Sequence, residues 1–172
     1  MGIRVYNASF LWTPLGDSQI QENISRTLRA WERTPYESGQ RFRGRGADCI
    51  GSVFGVVDDL DGRQRAEFPG MPRDTSMHDR ASAIATVREL VKRYSPCKKV
   101  VARDGYYYVQ PGDIVVTGTA GGGPGHVEIV GMKNELWHSL PDSGFHQGGF
   151  GFLQDQTLFA IYRIQDKDRW TL

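Results

Sequence analysis

Apolar residues follow two rhythms along this chain, helical in the first half and strand-like in the second. Ile20, Ile24, Leu28 and Trp31 lie four, four and three apart, one stripe of an α-helix. Asp17 or Ser18 is placed to cap its start. Thr34-Pro35 ends it, because the residue before proline resists the α region. A second helix is predicted from Cys49, with Ile50, Val53, Phe54 and Val57 on its apolar face and Asp61-Gly62 at its end. Gly51 and Gly55 each cost such a helix about 1 kcal/mol against alanine, which points to a helix backbone lying close against a sheet. A third helix is predicted over about 79–94, with Ile84, Val87, Val91 and Tyr94 opposite Arg88, Glu89, Lys92 and Arg93. After Pro96 the pattern turns to strands: Tyr106 to Val109, Asp113 to Val116, a run opened by His126, and a run carrying His138. In a last strand Leu158, Ala160, Tyr162 and Ile164 alternate with Phe159, Ile161 and Arg163. Residues 1–17 read as an N-terminal arm with a turn at Thr13-Pro14-Leu15-Gly16-Asp17, and 36–48 and 62–78 as loops. Helices first and antiparallel strands afterwards predict an α+β domain with its helices packed on the sheet.

Composition narrows the class. The 172 residues fit one domain, 1–172, with room for a real core. Twenty-one basic residues against twenty acidic leave a net charge of +1, so no nucleic-acid partner is expected. No apolar run approaches the ~20 residues of a membrane span, and the start lacks a basic segment followed by a long apolar one, so no export signal is expected. Two cysteines, Cys49 and Cys97, are too few for a disulfide scaffold. Cys97 reads as an incidental loop thiol, with Lys98 and Lys99 placed to lower its pKa.

Cys49 is the residue with the most chemistry. It follows a loop rich in Gly and Arg and opens the second helix, where backbone N–H groups favour a thiolate. His126, at a strand start, is the candidate base. His138 is placed to bond the far nitrogen of its ring and set the tautomer. Cys, His, His in that order implies acyl transfer by a thiolate–imidazolium pair, with the Cys49 N–H and Tyr36 as oxyanion donors. Blander readings stand beside this one. Cys49 alone is a small buried hydrophobe, and His126 alone is a strand-edge histidine satisfied by backbone. A zinc site of Cys49, His126 and His138 has suitable ligand types but lacks the short paired spacing of structural sites, so no metal and no cofactor are expected. Gly121 to Gly125 is no phosphate cradle, because no Gly-Lys-Ser/Thr follows, and it reads as a mobile lip beside the base. Arg41, Arg43 and Arg45 read as a solvated loop face, with carboxylates of an acidic ligand as the other option. His78 and His146 read as solvated loop residues. Asn7 and Asn23 match the glycosylation pattern by chance.

Five short segments, in order across residues 28–164, resemble the NlpC/P60 cysteine peptidases, a papain-like group that cleaves peptide stems of bacterial cell walls. Thr34-Pro35-Tyr36 resembles the Thr-Pro-Tyr that ends the family's leading helix. Asp48-Cys49-Ile50-Gly51 resembles its Asp-Cys-Ser-Gly nucleophile signature. Pro111-Gly112-Asp113-Ile114 resembles its Pro-Gly-Asp-Leu strand entry, and His126-Val127-Glu128-Ile129 its His-Val-Gly-Ile base strand. Trp137-His138 falls where the family carries its third polar residue. The resemblance implies a papain-like NlpC/P60 fold and a cysteine endopeptidase acting on peptidoglycan stem peptides. Cys49 is then the nucleophile, His126 the base, His138 the orienting residue, and Tyr36 and Asp48 substrate or oxyanion contacts. Ile50 stands where the family has serine, and Glu128 where it has a small residue. Residues 61–98 resemble a helical insertion. The serine-free signature in a short chain resembles versions encoded in phage tail gene clusters, which implies delivery in the virion and tail-tip protein partners. The alternatives are a structural tail-tip or hub component with a vestigial peptidase fold, and an intracellular amidase or acyltransferase.

Overall fold

The computed structural model describes residues 3–4, 9–62, 80–94, 96–119 and 125–171. The expectations for Asn7, for His78 and most of the 62–78 loop, and for most of the Gly-rich lip lie outside those residues.

Helix α1 (Ser18–Trp31) forms as its stripe requires. The Asp17 carboxylate caps it, accepting from the backbone N–H of Gln19 and Ile20, and Ile20, Ile24, Leu28 and Trp31 are buried. Helix α2 (Cys49–Asp61) is buried on nearly every side, which explains its weak amphipathicity, and it stops at Gly62 in the left-handed region. Its glycines serve a purpose different from the expected one. A Cβ at Gly55 would collide with the Trp31 indole of α1, and one at Gly51 with the Gln40 carbonyl. The close approach is therefore to a helix and a loop, not to the sheet. Helix α3 (Arg80–Lys92) packs into the main core. Val87, Leu90, Val91 and the following Tyr94 enter the same core as α1 and α2. Tyr94 stacks on Phe54 at 6.3 Å, and its hydroxyl donates to Asp58.

The strands are β1 (Ile3–Arg4), β2 (Ser9–Trp12), β3 (Arg41–Phe42), β4 (Gly46–Ala47), β5 (Cys97–Lys99), β6 (Tyr106–Val109), β7 (Ile114–Thr119), β8 (His126–Val130), β9 (Glu135–Leu140), β10 (Gly144–Gly149) and β11 (Gln156–Ile164). Among the described residues a seven-stranded antiparallel sheet runs β1-β11-β7-β8-β9-β10, with β5 also paired to β11. The helices cover one face, over Ile114, Val116, Val127, Ile129 and Trp137. The other face packs Val115, Val130, Leu136, Leu158 and Ile161 against Phe10, Trp12 and the 3-10 turn Phe150–Asp155. The expected arm thus contains β2, which pairs in parallel with β6 and helps close the second face. The α+β class is as the pattern predicted.

Three expectations are corrected by this fold. The 36–48 loop contains the β3–β4 hairpin, and Arg41 and Arg43 reach back to Asp58 and Asp59 of α2 at 3.8 and 3.3 Å. Cys97 is half-buried on β5. Burial pushes its thiol up, and the nearby cation opposing that shift is Lys167 rather than its sequence neighbours. His146 lies on β10, directly across from His138.

Candidate active site

The candidate residues divide between the two faces of the sheet. Cys49, at the N-terminus of α2, lies on the helix-covered face with Val127, Ile129 and Trp137, whereas strand alternation and pairing put His126, Glu128 and His138 on the other face with Val115, Val130 and Leu136. The Thr34-Pro35-Tyr36 segment threads between two elements. Phe145 N–H of β10 donates to the Thr34 carbonyl (2.8 Å), and Ala47 N–H of β4 donates to the Pro35 carbonyl (2.9 Å). The Ala47 carbonyl accepts from Ser139 Oγ of β9 at 3.0 Å. These bonds fix the chain on both sides of the Asp48-Cys49 corner.

Strand period places the histidines. His126 and Glu128 are two apart on β8 and share a face. The pairing of Ile129 with Trp137 and of Val130 with Leu136, continued back along the strands, sets Glu128 across from His138. His126 Nε2 lies 3.1 Å from His138 Nδ1. Phe152 flanks both rings, at 5.8 Å from His126 and edge-on at 4.4 Å to His138. His138 is buried, whereas 12% of the His126 side chain is exposed, so His126 forms the open side of the pair. The bond at Nε2 leaves Nδ1 as the nitrogen of His126 available for proton exchange elsewhere.

Cys49 is fully buried at the start of α2. Its protonation differs from expectation. Burial and then the Asp48 carboxylate push the thiol up, and the backbone N–H groups of Val127 and Ile50 only partly oppose them. Val127 adjoins His126, so the sulfur is seated against the base strand. Burial, with the neighbouring imidazoles, holds His126 down at about 3 and His138 at about 4. At neutral pH the resting site therefore holds a thiol and neutral imidazoles, not a preformed ion pair.

The other two candidates divide. Tyr36 is half-buried beside Cys49 and Asp48. Burial and those two groups hold its phenol up at about 12, so it stays a hydrogen-bond donor. Asp48 is buried, and its carboxylate is committed to backbone: Oδ1 accepts from Gly51 N–H (2.7 Å) and Oδ2 from Gly39 N–H (2.8 Å). It caps α2 and clamps the preceding loop.

Glu128, which the sequence marks only as a departure from the family pattern, belongs to the histidine cluster. It is wholly buried, Oε1 accepts from Thr117 Oγ1 at 2.8 Å, and Oε2 has no hydrogen-bond partner. Its Oε1 lies 3.9 Å from His126 Nε2, and burial raises its carboxyl to about 8. The available signal was its place two residues after His126, on the same strand face.

No family model matches the sequence, and neither does any curated protein. Solved structures do match. A lipoprotein-like NLP/P60 family protein from Staphylococcus aureus superposes with a TM-score of 0.52 at 21% identity, over 88% of this chain and 43% of that one. An NlpC/P60 family protein from Bacillus cereus superposes with a TM-score of 0.52 at 15% identity, over 85% of this chain and 40% of that one. The NlpC/p60 domain of the peptidoglycan hydrolase SagA matches at 20% identity with a TM-score of 0.49, over 81% of this chain and 97% of that domain. This chain has the NlpC/P60 fold, and it spans about two-fifths of the Staphylococcus and Bacillus proteins.

Proposed function

We propose that this protein is a cysteine endopeptidase that hydrolyses amide bonds in the stem peptides of peptidoglycan. The observation that carries this reading is the seating of Cys49 against the backbone of β8 at Val127, the residue after His126, whose ring is held by a second histidine at 3.1 Å. The fold, shared with NlpC/P60 proteins, supports the substrate class.

On this reading the sulfur of Cys49 attacks the carbonyl carbon as its proton passes to His126 Nδ1, which requires the ring, at the start of β8, to swing to the sulfur's side of the strand. His138 holds the ring by Nε2 and shares the charge that develops on it. The tetrahedral oxyanion sits at the N-terminus of α2, where the first N–H groups have no acceptor within the helix, and the Tyr36 hydroxyl donates from the side. His126 then protonates the leaving amine. Water, deprotonated by the same ring, cleaves the thioester and releases the carboxylate. Because the resting groups are neutral, proton transfer accompanies attack rather than preceding it.

The test is release of new amino groups from purified cell walls. The parent protein releases them and Cys49→Ala does not; an alanine variant that cleaves as well as the parent ends this reading. Delivery by a phage tail belongs to the proposal and is supported by the serine-free Asp48-Cys49-Ile50-Gly51 signature alone. Its test is co-purification of the chain with assembled particles.

One observation favours a second reading, a structural domain with a vestigial site: Cys49 offers no surface to solvent. On that reading a thiol reagent reacts with Cys49 no faster than the domain unfolds. On the first it reacts through a local opening that wall peptides accelerate.

A further inference from the structure

We propose that His126, Glu128 and His138 form a binding site for one divalent transition-metal ion of the zinc class, and that the bound ion switches the hydrolase off. The metal-binding half stands on the geometry alone; the switching half rests on the cysteine-peptidase reading above.

Among the described residues, these three bring one ligand atom each to within 4.8 Å of one another. Two imidazole nitrogens bound to one zinc at tetrahedral angles sit about 3.3 Å apart, and His126 Nε2 and His138 Nδ1 are already 3.1 Å apart. Glu128 Oε1 at 3.9 Å from His126 Nε2 needs only a small rotation of its carboxylate to complete the set. A hydrogen bond between the two rings accounts for their spacing but not for the carboxylate. Glu128 is fully buried with Oε2 unpartnered, and it faces two nitrogens that are good ligands for soft-to-borderline cations. Thr117 Oγ1 orients the carboxylate as an outer-shell donor does, and Phe152 walls the rings from one side. The exposed part of His126 leaves a route in. The zinc set suggested by the sequence, with Cys49 as a ligand, is replaced by one in which Glu128 takes the third place.

The switching follows from the ring's valence. A metal on Nε2 uses that lone pair, so the ring's hydrogen resides on Nδ1. No lone pair is then left to accept the proton of Cys49, and attack by sulfur has no base. Removing the ion restores Nδ1 as acceptor.

Direct binding is measured on protein stripped with a chelator, by titrating Zn²⁺ against a chromophoric competitor, and with Co²⁺ for its visible spectrum. One ion per chain is expected in the parent and in Cys49→Ala. Affinity falls at least tenfold in Glu128→Gln and is lost in His138→Ala, with folding checked by circular dichroism. His146→Ala, which removes the ring 4.7 Å from His138, keeps the ion. No stoichiometric ion in the folded parent, or equal affinity in Glu128→Gln, overturns the site. For the switch, Zn²⁺ is expected to reduce amine release from walls at least tenfold and chelator to restore it. Unchanged or increased release with Zn²⁺ overturns the switch. If the chain binds zinc and never cleaves walls, the peptidase reading fails while the metal site stands.

Discussion

Glu128→Gln should stabilise the metal-free protein at alkaline pH and leave it nearly unchanged near pH 5. Glu128 is wholly buried, and its carboxyl is raised from 4.5 to about 8 with burial as the main cause. A raised acid favours the folded state while it is protonated. Its contribution is complete below pH 4.5 and is lost progressively as pH rises to about 8. At about 1.4 kcal/mol per pH unit, the loss by pH 8 is on the order of 3–5 kcal/mol, and at pH 5 it is under about 1 kcal/mol. Gln has the same shape, keeps an oxygen for Thr117 Oγ1, and carries no charge. His126 and His138 titrate with the opposite sign. Their depressed values, about 3 and 4, remove stability as pH falls below 6.5, in parent and variant alike, so they cancel in the difference. The assay is urea unfolding of both proteins in chelator at pH 5 and pH 8, comparing free energies at equal m-values. A difference between the proteins that is the same at both pH values refutes the reasoning, because a pH-independent effect belongs to packing and not to the buried charge.

Four further perturbations test other links. Asp48→Asn, in a Cys97→Ser background, removes the charge that opposes the Cys49 thiolate; the pH profile of Cys49 alkylation should shift to lower pH, and an unshifted profile refutes the coupling. Gly55→Ala drives a methyl into the Trp31 indole and should cost about 1–3 kcal/mol, read as a lower thermal midpoint; an unchanged midpoint would show that Trp31 can move aside. Arg163→Ala strands Asp113, which is buried and gripped by Nε at 2.8 Å and Nη2 at 2.6 Å; the expected cost is about 3–5 kcal/mol in urea unfolding, most of it retained in Arg163→Lys if the fork geometry matters. Ser139→Ala removes the tie to the Ala47 carbonyl and should cost about 1 kcal/mol of stability, with a larger fall in kcat than in folded fraction; a fall only in proportion would deny the tie a positioning role.

What the sequence made legible follows from what repeats locally. Helix α1 was readable because its stripe, its Asp17 cap and its proline stop all lie within its own segment. Strand β8 and the shared face of His126 and Glu128 were readable from a period of two, although Glu128 stood out only as a departure from the family pattern, with no role attached. Strand β10 was not readable. Gly144-Phe145-His146-Gln147-Gly148-Gly149 has one large apolar residue and three glycines, and it is a strand because the edge of β9 offers partners along its length. The parallel pairing of β2 with β6 joins segments almost a hundred residues apart, which no local pattern encodes. The protonation of Cys49 failed for a related reason. A helix N-terminus was visible in the sequence and does favour the thiolate, but complete burial and the Asp48 charge oppose it, and both depend on tertiary packing.

The residues that build this site are mostly not the ones with chemistry. Asp48 is spent on two backbone N–H groups, Ala47 receives Ser139 and donates to Pro35, and Thr34 receives Phe145. The Ser139–Ala47 and Phe145–Thr34 bonds join the sulfur's corner to β9, which carries the second histidine, and to β10 beside it. The sulfur and the imidazoles come from separate elements, α2, β8 and β9, so their spacing is set by how those elements dock and not by either side chain's own freedom. Docking in turn depends on Gly51 and Gly55, where any larger residue would push α2 off the Gln40 loop and Trp31. A reactive group held this way keeps its geometry at the cost of solvent access, which is why Cys49 is buried and its thiol neutral at rest. On the peptidase reading, a substrate must therefore displace what covers the sulfur without moving the corner.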